Sequence, residues 1–220
     1  MKKLLKNIKK FILDIFFPSF CVGCKKEGAF LCKKCKEKIY INKYPCSLPK
    51  KSKIKKIYCA TDYHQKNIEK LIHSFKYKFI KDTKNELSEI IIKHLELSEF
   101  KKTKNQILIP VPLHKKRLKW RGFNQSEILA SEIGKKLNIP VSANVIFKIK
   151  NTETQTQQKS KKDRIKNIKG AFIIKNENII KDKDVILVDD VFTTGATLKE
   201  CSKQIQKAKP KSIEAIVVAK

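Results

Sequence analysis

At 220 residues the chain can hold one full α/β domain with a sizeable core and something smaller beside it. Its 41% apolar residues fall into periodic segments, which excludes bulk disorder, and no stretch approaches the ~20 apolar residues of a membrane span. Lys+Arg 51 against Asp+Glu 21 gives +30, enough to draw polyanions such as nucleic acid or an anionic membrane face into salt-sensitive contact. A lysine-rich compositional bias accounts for part of that charge, since the only arginines are Arg117, Arg121 and Arg164. Planar, bidentate phosphate recognition therefore rests on three residues.

Leu4, Leu5, Ile8, Phe11, Ile12, Ile15 and Phe16 recur at helical spacing, with Lys2, Lys3, Lys6, Lys9 and Lys10 opposite. This predicts a basic amphipathic helix whose apolar stripe docks on its own domain or on a membrane surface or partner. Asp14 interrupts the stripe and no A-x-A site follows, so the segment reads as retained and the chain as cytoplasmic or membrane-peripheral. Pro18 ends the helix. Cys21, Cys24, Cys32 and Cys35 then form C-x2-C-x7-C-x2-C, the metal spacing of a reducing compartment rather than a disulfide scaffold. Two such knuckles close a tetrahedral four-thiolate zinc site with no open position, hence structural; a redox dithiol and an iron-sulfur centre are the alternatives. Cys46 and Cys59 stay unassigned, because Pro49 stands where a further CxxC would need its partner. Residues 1–45 thus read as helix plus zinc-ribbon-like module, 46–56 as a Pro/Ser/Lys-rich linker, and 57–220 as the main domain.

From Ile57 the pattern runs strand (IYCATDY), helix (NIEKLIHSFKYKF), helix (ELSEIIIKHLEL) and a short buried strand (QILIPV). Leu113, His114, Lys115, Lys116 and Arg117 follow at once, with Arg121 a turn later. Basic residues at a strand's carboxyl end suit a phosphate-rich ligand, the plainer alternative being a solvated basic loop. Trp120 and Phe123 offer flat surface for stacking on a base or for core packing. Asn124 caps a helix over NQSEILASEIGKKL. Weak strands at 145–149 and 171–174 bracket the polar segment NTETQTQQKSKKDR.

The run VILVDDVFTTGATL carries most chemistry. Val185 to Val188 predict a strand covered on both faces, delivering Asp189 and Asp190 to its carboxyl end, where open α/β sheets bind ligands. Thr193, Thr194, Gly195, Ala196 and Thr197 offer hydroxyls and successive N–H groups at a helix start, which favours an anion. The aspartates would repel that anion; they suit vicinal hydroxyls or hydrated Mg2+. Diol plus phosphate describes ribose 5-phosphate, and an ordinary capped strand-to-helix turn is the alternative. Cys201 reads as a packed thiol. The alternation of strands and helices argues a parallel sheet.

The acid pair followed by T-T-G-x-T resembles the phosphoribosyl pyrophosphate (PRPP) loop of type I phosphoribosyltransferases. Together with PVPLHKKRLKWRGFNQ, DRIKNIKGAF and the CxxC pairs, the chain resembles the ComF family of ComFC- and GntX-like proteins along nearly its whole length. The resemblance implies a type I phosphoribosyltransferase-like α/β domain preceded by a zinc module, acting in natural transformation on incoming single-stranded DNA, with a competence helicase as a partner. By motif, Asp189 and Asp190 would hold the ribose hydroxyls, Thr193 to Thr197 the 5-phosphate, and the 113–117 turn the pyrophosphate, with Mg2+ entering alongside PRPP and Arg121 and Arg164 adding phosphate or DNA contacts. The chain departs from the family at Lys148 and Lys150, where arginine is common. It specifies neither an acceptor nor an oligomeric state, and a non-catalytic DNA-binding adaptor or PRPP-sensing regulator is the competing class.

Overall fold

The computed structural model describes residues 18–46, 52–77, 83–152 and 166–220. The basic amphipathic helix, Arg164 and most of the polar NTETQTQQKSKKDR segment lie outside them. The described elements are α1 (Lys33–Glu37), β1 (Ile57–Thr61), α2 (Lys66–Tyr77), α3 (Lys84–Leu97), β2 (Gln106–Pro110), α4 (Lys115–Arg121), α5 (Gln125–Leu137), β3 (Ile146–Lys148), β4 (Phe172–Ile174), β5 (Asp184–Val191), α6 (Ala196–Ile205) and β6 (Ser212–Ala219).

Four strands form one parallel sheet in the order β1-β6-β5-β2. Its side chains sort by the two-residue period of a strand. Tyr58, Ala60, Leu108, Ile186, Val188, Ile216 and Val218 face one core, with Leu71 and Phe75 of α2, Ile91 of α3 and Leu129 of α5. Ile57, Cys59, Ile107, Ile109, Val185, Leu187, Ile213, Ala215 and Val217 face the other, with Leu198, Cys201 and Ile205 of α6. Both faces being covered explains the continuous apolar runs in β5 and β6, and Cys201 is the packed thiol its setting in the sequence suggested.

This sorting positions the site. The neighbouring strands β2 and β5 are followed by helices on opposite faces, α5 on one and α6 on the other, so a crevice opens beyond their carboxyl ends. The two weak strands do not join that sheet. β3 and β4 pair antiparallel with each other, and Phe172 and Ile146 pack on the α6 face.

Asn124 caps α5 through its side chain, which accepts from the Ser126 N–H at 3.1 Å while its amide donates to the Val111 carbonyl. Gly134, one turn from the far end, lets the 139–141 chain lie directly on the helix. An alanine Cβ there would sit 2.6 Å from a Val141 methyl and 2.8 Å from the Ile139 carbonyl oxygen. Gly134→Ala is therefore expected to cost about 1–3 kcal/mol despite its better helix propensity. Thermal denaturation checks this, and an unchanged or raised melting temperature would contradict it.

Ahead of the sheet, Cys21, Val22, Leu31, Cys35 and Ile39 join the α2–α3 core rather than forming one of their own. Lys70 on α2 donates to the Val22 carbonyl, and Asn67 to that of Cys35. Further along, Cys46 pairs with Ile57 as an isolated bridge, and Ile54 is buried. Among the described residues, no helix is long and apolar enough to cross a membrane.

Candidate functional site

A cleft of about 450 Å3 occupies the crevice beyond β2 and β5. Asp189, Asp190, Thr193, Ala196 and Thr197 line one side; Leu113, Arg117 and Arg121 line another, with Lys148 and Asn167 closing it. Of the residues singled out from the sequence, His114 turns inward instead: it is buried and its Nδ1 accepts from the Lys116 N–H, capping α4. Lys115 and Lys116 are exposed and lie outside the cleft lining.

The acid pair falls on the last residues of β5, held by the sheet. Asp189 takes one hydrogen bond from Ser126 Oγ and one from the Asp190 N–H, both at 2.9 Å to the same carboxylate oxygen. Burial, and then the neighbouring Asp190, push its pKa up to about 7 against these stabilising contacts. Asp190 meets Lys76 of α2 at 2.9 Å, where the ammonium is mostly buried. Burial opposes charge on Lys76, but the Asp190 carboxylate more than compensates and raises its pKa above the ordinary lysine value. Across the cleft, burial and the nearby Arg117 bring Lys148 down to about 8.

A carboxyl whose pKa is higher folded than unfolded holds its proton in the native state while the unfolded chain has released it. The stability contributed by protonated Asp189 is thus full below about 4 and lost as pH rises through about 7. The melting temperature of the ligand-free protein should fall between about pH 4 and pH 7, and Asp189→Asn should flatten that slope. Parallel profiles for wild type and variant would contradict the assignment.

The loop after the pair is shaped for an anion. Gly195 adopts φ 71°, in the left-handed region, immediately before α6, and Thr194 Oγ1 accepts from the Ala196 N–H at 3.3 Å. Thr193, Ala196 and Thr197 line the cleft here, beside the first turn of α6, whose N–H groups have no partner within the helix. On the opposite wall, Arg117 donates to the Thr152 carbonyl at 3.2 Å, which fixes its guanidinium at the rim. Acceptors, N–H donors and fixed cations thus surround one volume suited to a phosphorylated polyol.

In the amino-terminal module the four sulfurs of Cys21, Cys24, Cys32 and Cys35 lie within 4.8 Å of one another, and the Cys24 and Cys32 sulfurs are 3.6 Å apart. Four thiolates about 2.3 Å from one ion require separations of this order, so the set fits a tetrahedral metal site, consistent with zinc. The Cys32 N–H points at the Cys21 sulfur at 3.4 Å, an outer contact that orients a ligating thiolate. Gly23 is required on space alone, because a Cβ would lie 2.7 Å from the Cys35 sulfur.

The sequence model of the Phosphoribosyl transferase domain matches residues 121–220, from the end of α4 through α5, β5, the threonine loop and β6. Competence protein F of Haemophilus influenzae is 42% identical over 103 residues, 46% of this chain and 44% of that protein. Competence protein ComFC of Bacillus subtilis is 32% identical over 116 residues, 52% of this chain and 45% of that one. The chain is thus similar to two competence proteins over about half of its length. DNA utilization protein YhgH of Escherichia coli extends the similarity to 83% of this chain and 80% of that protein, at 28% identity. The chain therefore spans less than half of the two competence proteins it matches and most of YhgH. The parallel α/β sheet is that of a type I phosphoribosyltransferase fold, and the acid pair and threonine loop lie within the matched residues.

Sequence reasoning missed Lys76 and Ser126. One faint signal existed for Lys76: it lies four residues after Ile72, on the buried stripe of α2, where a solvated lysine is out of place. Tyr77, beside it, also reaches the cleft, and Phe123 proves to be core while Trp120 is exposed.

Proposed function

We propose that the chain binds Mg-PRPP in the β2–β5 crevice and transfers its phosphoribosyl group, in the service of DNA uptake, with one structural zinc in the amino-terminal module. One observation carries the reading: two buried carboxylates end a parallel strand, and the threonine loop and Arg117 share their cleft. Asp189 and Asp190 would accept from the ribose hydroxyls, the N–H groups and hydroxyls of 193–197 would bind the 5-phosphate, and Leu113 and Arg117, the two residues of the 113–117 turn that line the cleft, would face the pyrophosphate. Bound Mg2+ would neutralise charge on the leaving pyrophosphate.

The residues of the chain supply the rest. Arg117 and Lys148 line the same cleft and would face that departing charge, and Asp189 and Asp190 would face the positive charge that develops on the sugar ring. Lys76 holds the Asp190 carboxylate in the ligand-free cleft and would hand that acceptor to a hydroxyl when the sugar enters. The DNA-uptake context rests on the relatives named for competence and for DNA utilization. The test is pyrophosphate release from Mg2+ and PRPP, with and without single-stranded DNA or free bases. Release that depends on an acceptor supports transfer. Tight PRPP binding with no release under any acceptor would instead favour the ligand-sensing adaptor.

A further inference from the structure

A second recess, of about 330 Å3, opens beside the cleft and shares Tyr77, Arg117 and Arg121 with it. Its other described walls are Lys116, Trp120 and Asn151. Two aromatic side chains on this wall reach solvent together: Trp120 is 61% exposed and Tyr77 36%. Their ring centres are 6.5 Å apart and inclined at 59°, an open wedge rather than a closed stack. The Arg121 guanidinium lies 5.5 Å over the Tyr77 ring, with Nη1 bonded to Gln125 at 2.5 Å, which holds that side of the wedge rigid. Arg121 is 5% exposed, and its Nε has no protein acceptor among the described residues.

The chemistry of this wall is one-sided. Three cations and two π faces meet, and no carboxylate is among the lining residues. A flat aromatic group with phosphate attached satisfies every one of them, by stacking on the rings, by presenting its face to an arginine and by ion pairing through the phosphate. An acidic peptide would use the cations and leave the rings wet.

We propose that this recess is a nucleotide subsite: a base stacks on Trp120 with Tyr77 against its edge, while Lys116 and Arg117 take its phosphate. The nucleotide is either free or one unit of a single strand. The proposal depends on the phosphoribosyl reading only for what the base would be presented to, since Arg117 and Arg121 form the partition between recess and cleft.

Trp120 is the one tryptophan of the chain, so its emission reports the recess directly. The full-length protein is titrated with an oligothymidylate and, separately, with thymidine monophosphate; saturable quenching is expected. Quenching by the strand alone identifies a polymer as the source, and quenching by both admits the free nucleotide. Anisotropy of a labelled oligothymidylate then compares variants. Trp120→Ala should weaken binding about tenfold, and Trp120→Phe should recover most of it, as stacking requires and simple charge attraction does not. Emission unmoved by both ligands, or wild-type affinity in Trp120→Ala, would overturn the proposal. Calorimetric titration of Mg-PRPP on the same preparations keeps the two readings apart. Quenching without Mg-PRPP binding in the wild type would remove the phosphoribosyl reading and leave the recess standing, whereas intact Mg-PRPP binding with silent emission would remove the recess alone.

Discussion

Replacing Asp189 and Asp190 together by asparagine is expected to reduce Mg-PRPP affinity by roughly two to four orders of magnitude, to the point of no detectable heat in a calorimetric titration. Each carboxylate would accept charge-assisted hydrogen bonds from ribose hydroxyls, and an amide loses that charge and half its accepting capacity. The geometry sharpens the expectation. Asp189 is already oriented by Ser126 and by the Asp190 N–H, so it is preorganised and needs no rearrangement to receive a hydroxyl. The double variant also strips Lys76 of its partner. Because the Lys76 side chain keeps 20% of its exposure, it can turn to water, and the cost to folding should stay near 1 kcal/mol. Metal content and near-ultraviolet dichroism should be those of the wild type. Gly195→Val should mimic the binding defect through a different cause, since a β-branched residue resists φ 71° and crowds the phosphate approach. Wild-type affinity in the double asparagine protein would sink the phosphoribosyl assignment.

Removing the metal should unfold more than the module. One equivalent of zinc per chain is expected, and Cys21→Ser or Cys35→Ser should lose it, because these are the two buried ligands. The module has no core of its own. Val22, Leu31 and Ile39 are buried against the same cluster as α2 and α3, and Lys70 and Asn67 of α2 donate to module carbonyls. Loss of the ion should therefore expose that face of α2 and lower the melting temperature of the whole described fold by about 5–10 °C, the shift that a few kcal/mol produces at this size. It should also weaken Mg-PRPP binding, because α2 carries Lys76 and Tyr77 into the cleft. Elemental analysis with calorimetric scanning before and after chelation provides the check. Iron in place of zinc, or a main transition unmoved by chelation, would contradict this coupling.

The two expectations differ in how much of them the sequence carried. The acid pair, the Thr/Gly loop and the helix start are contiguous, so their relative geometry is set within a few residues by strand pleat, turn and first helical turn. The same holds for each CxxC knuckle and for the Asn124 cap. The continuous apolar run of β5 likewise marked that strand as covered on both faces, and the alternation of strands with helices marked the sheet as parallel.

What joins those local pieces was not legible. Ser126 reaches Asp189 across 63 positions of chain, and nothing about a serine in a capped helix marks it for that contact. Lys76 looked like one lysine among many, and only the docking of α2 over the end of β5 converts it into the partner of Asp190. His114 reads as a phosphate ligand by position, yet capping geometry turns it inward, whereas Trp120 and Phe123 look alike and are separated into surface and core by the direction in which α4 leaves the sheet. Local spacing determined which groups this protein has for chemistry. The packing of helices on the two sheet faces, a sum of many small non-directional contacts between distant residues, decided which of them share a cleft.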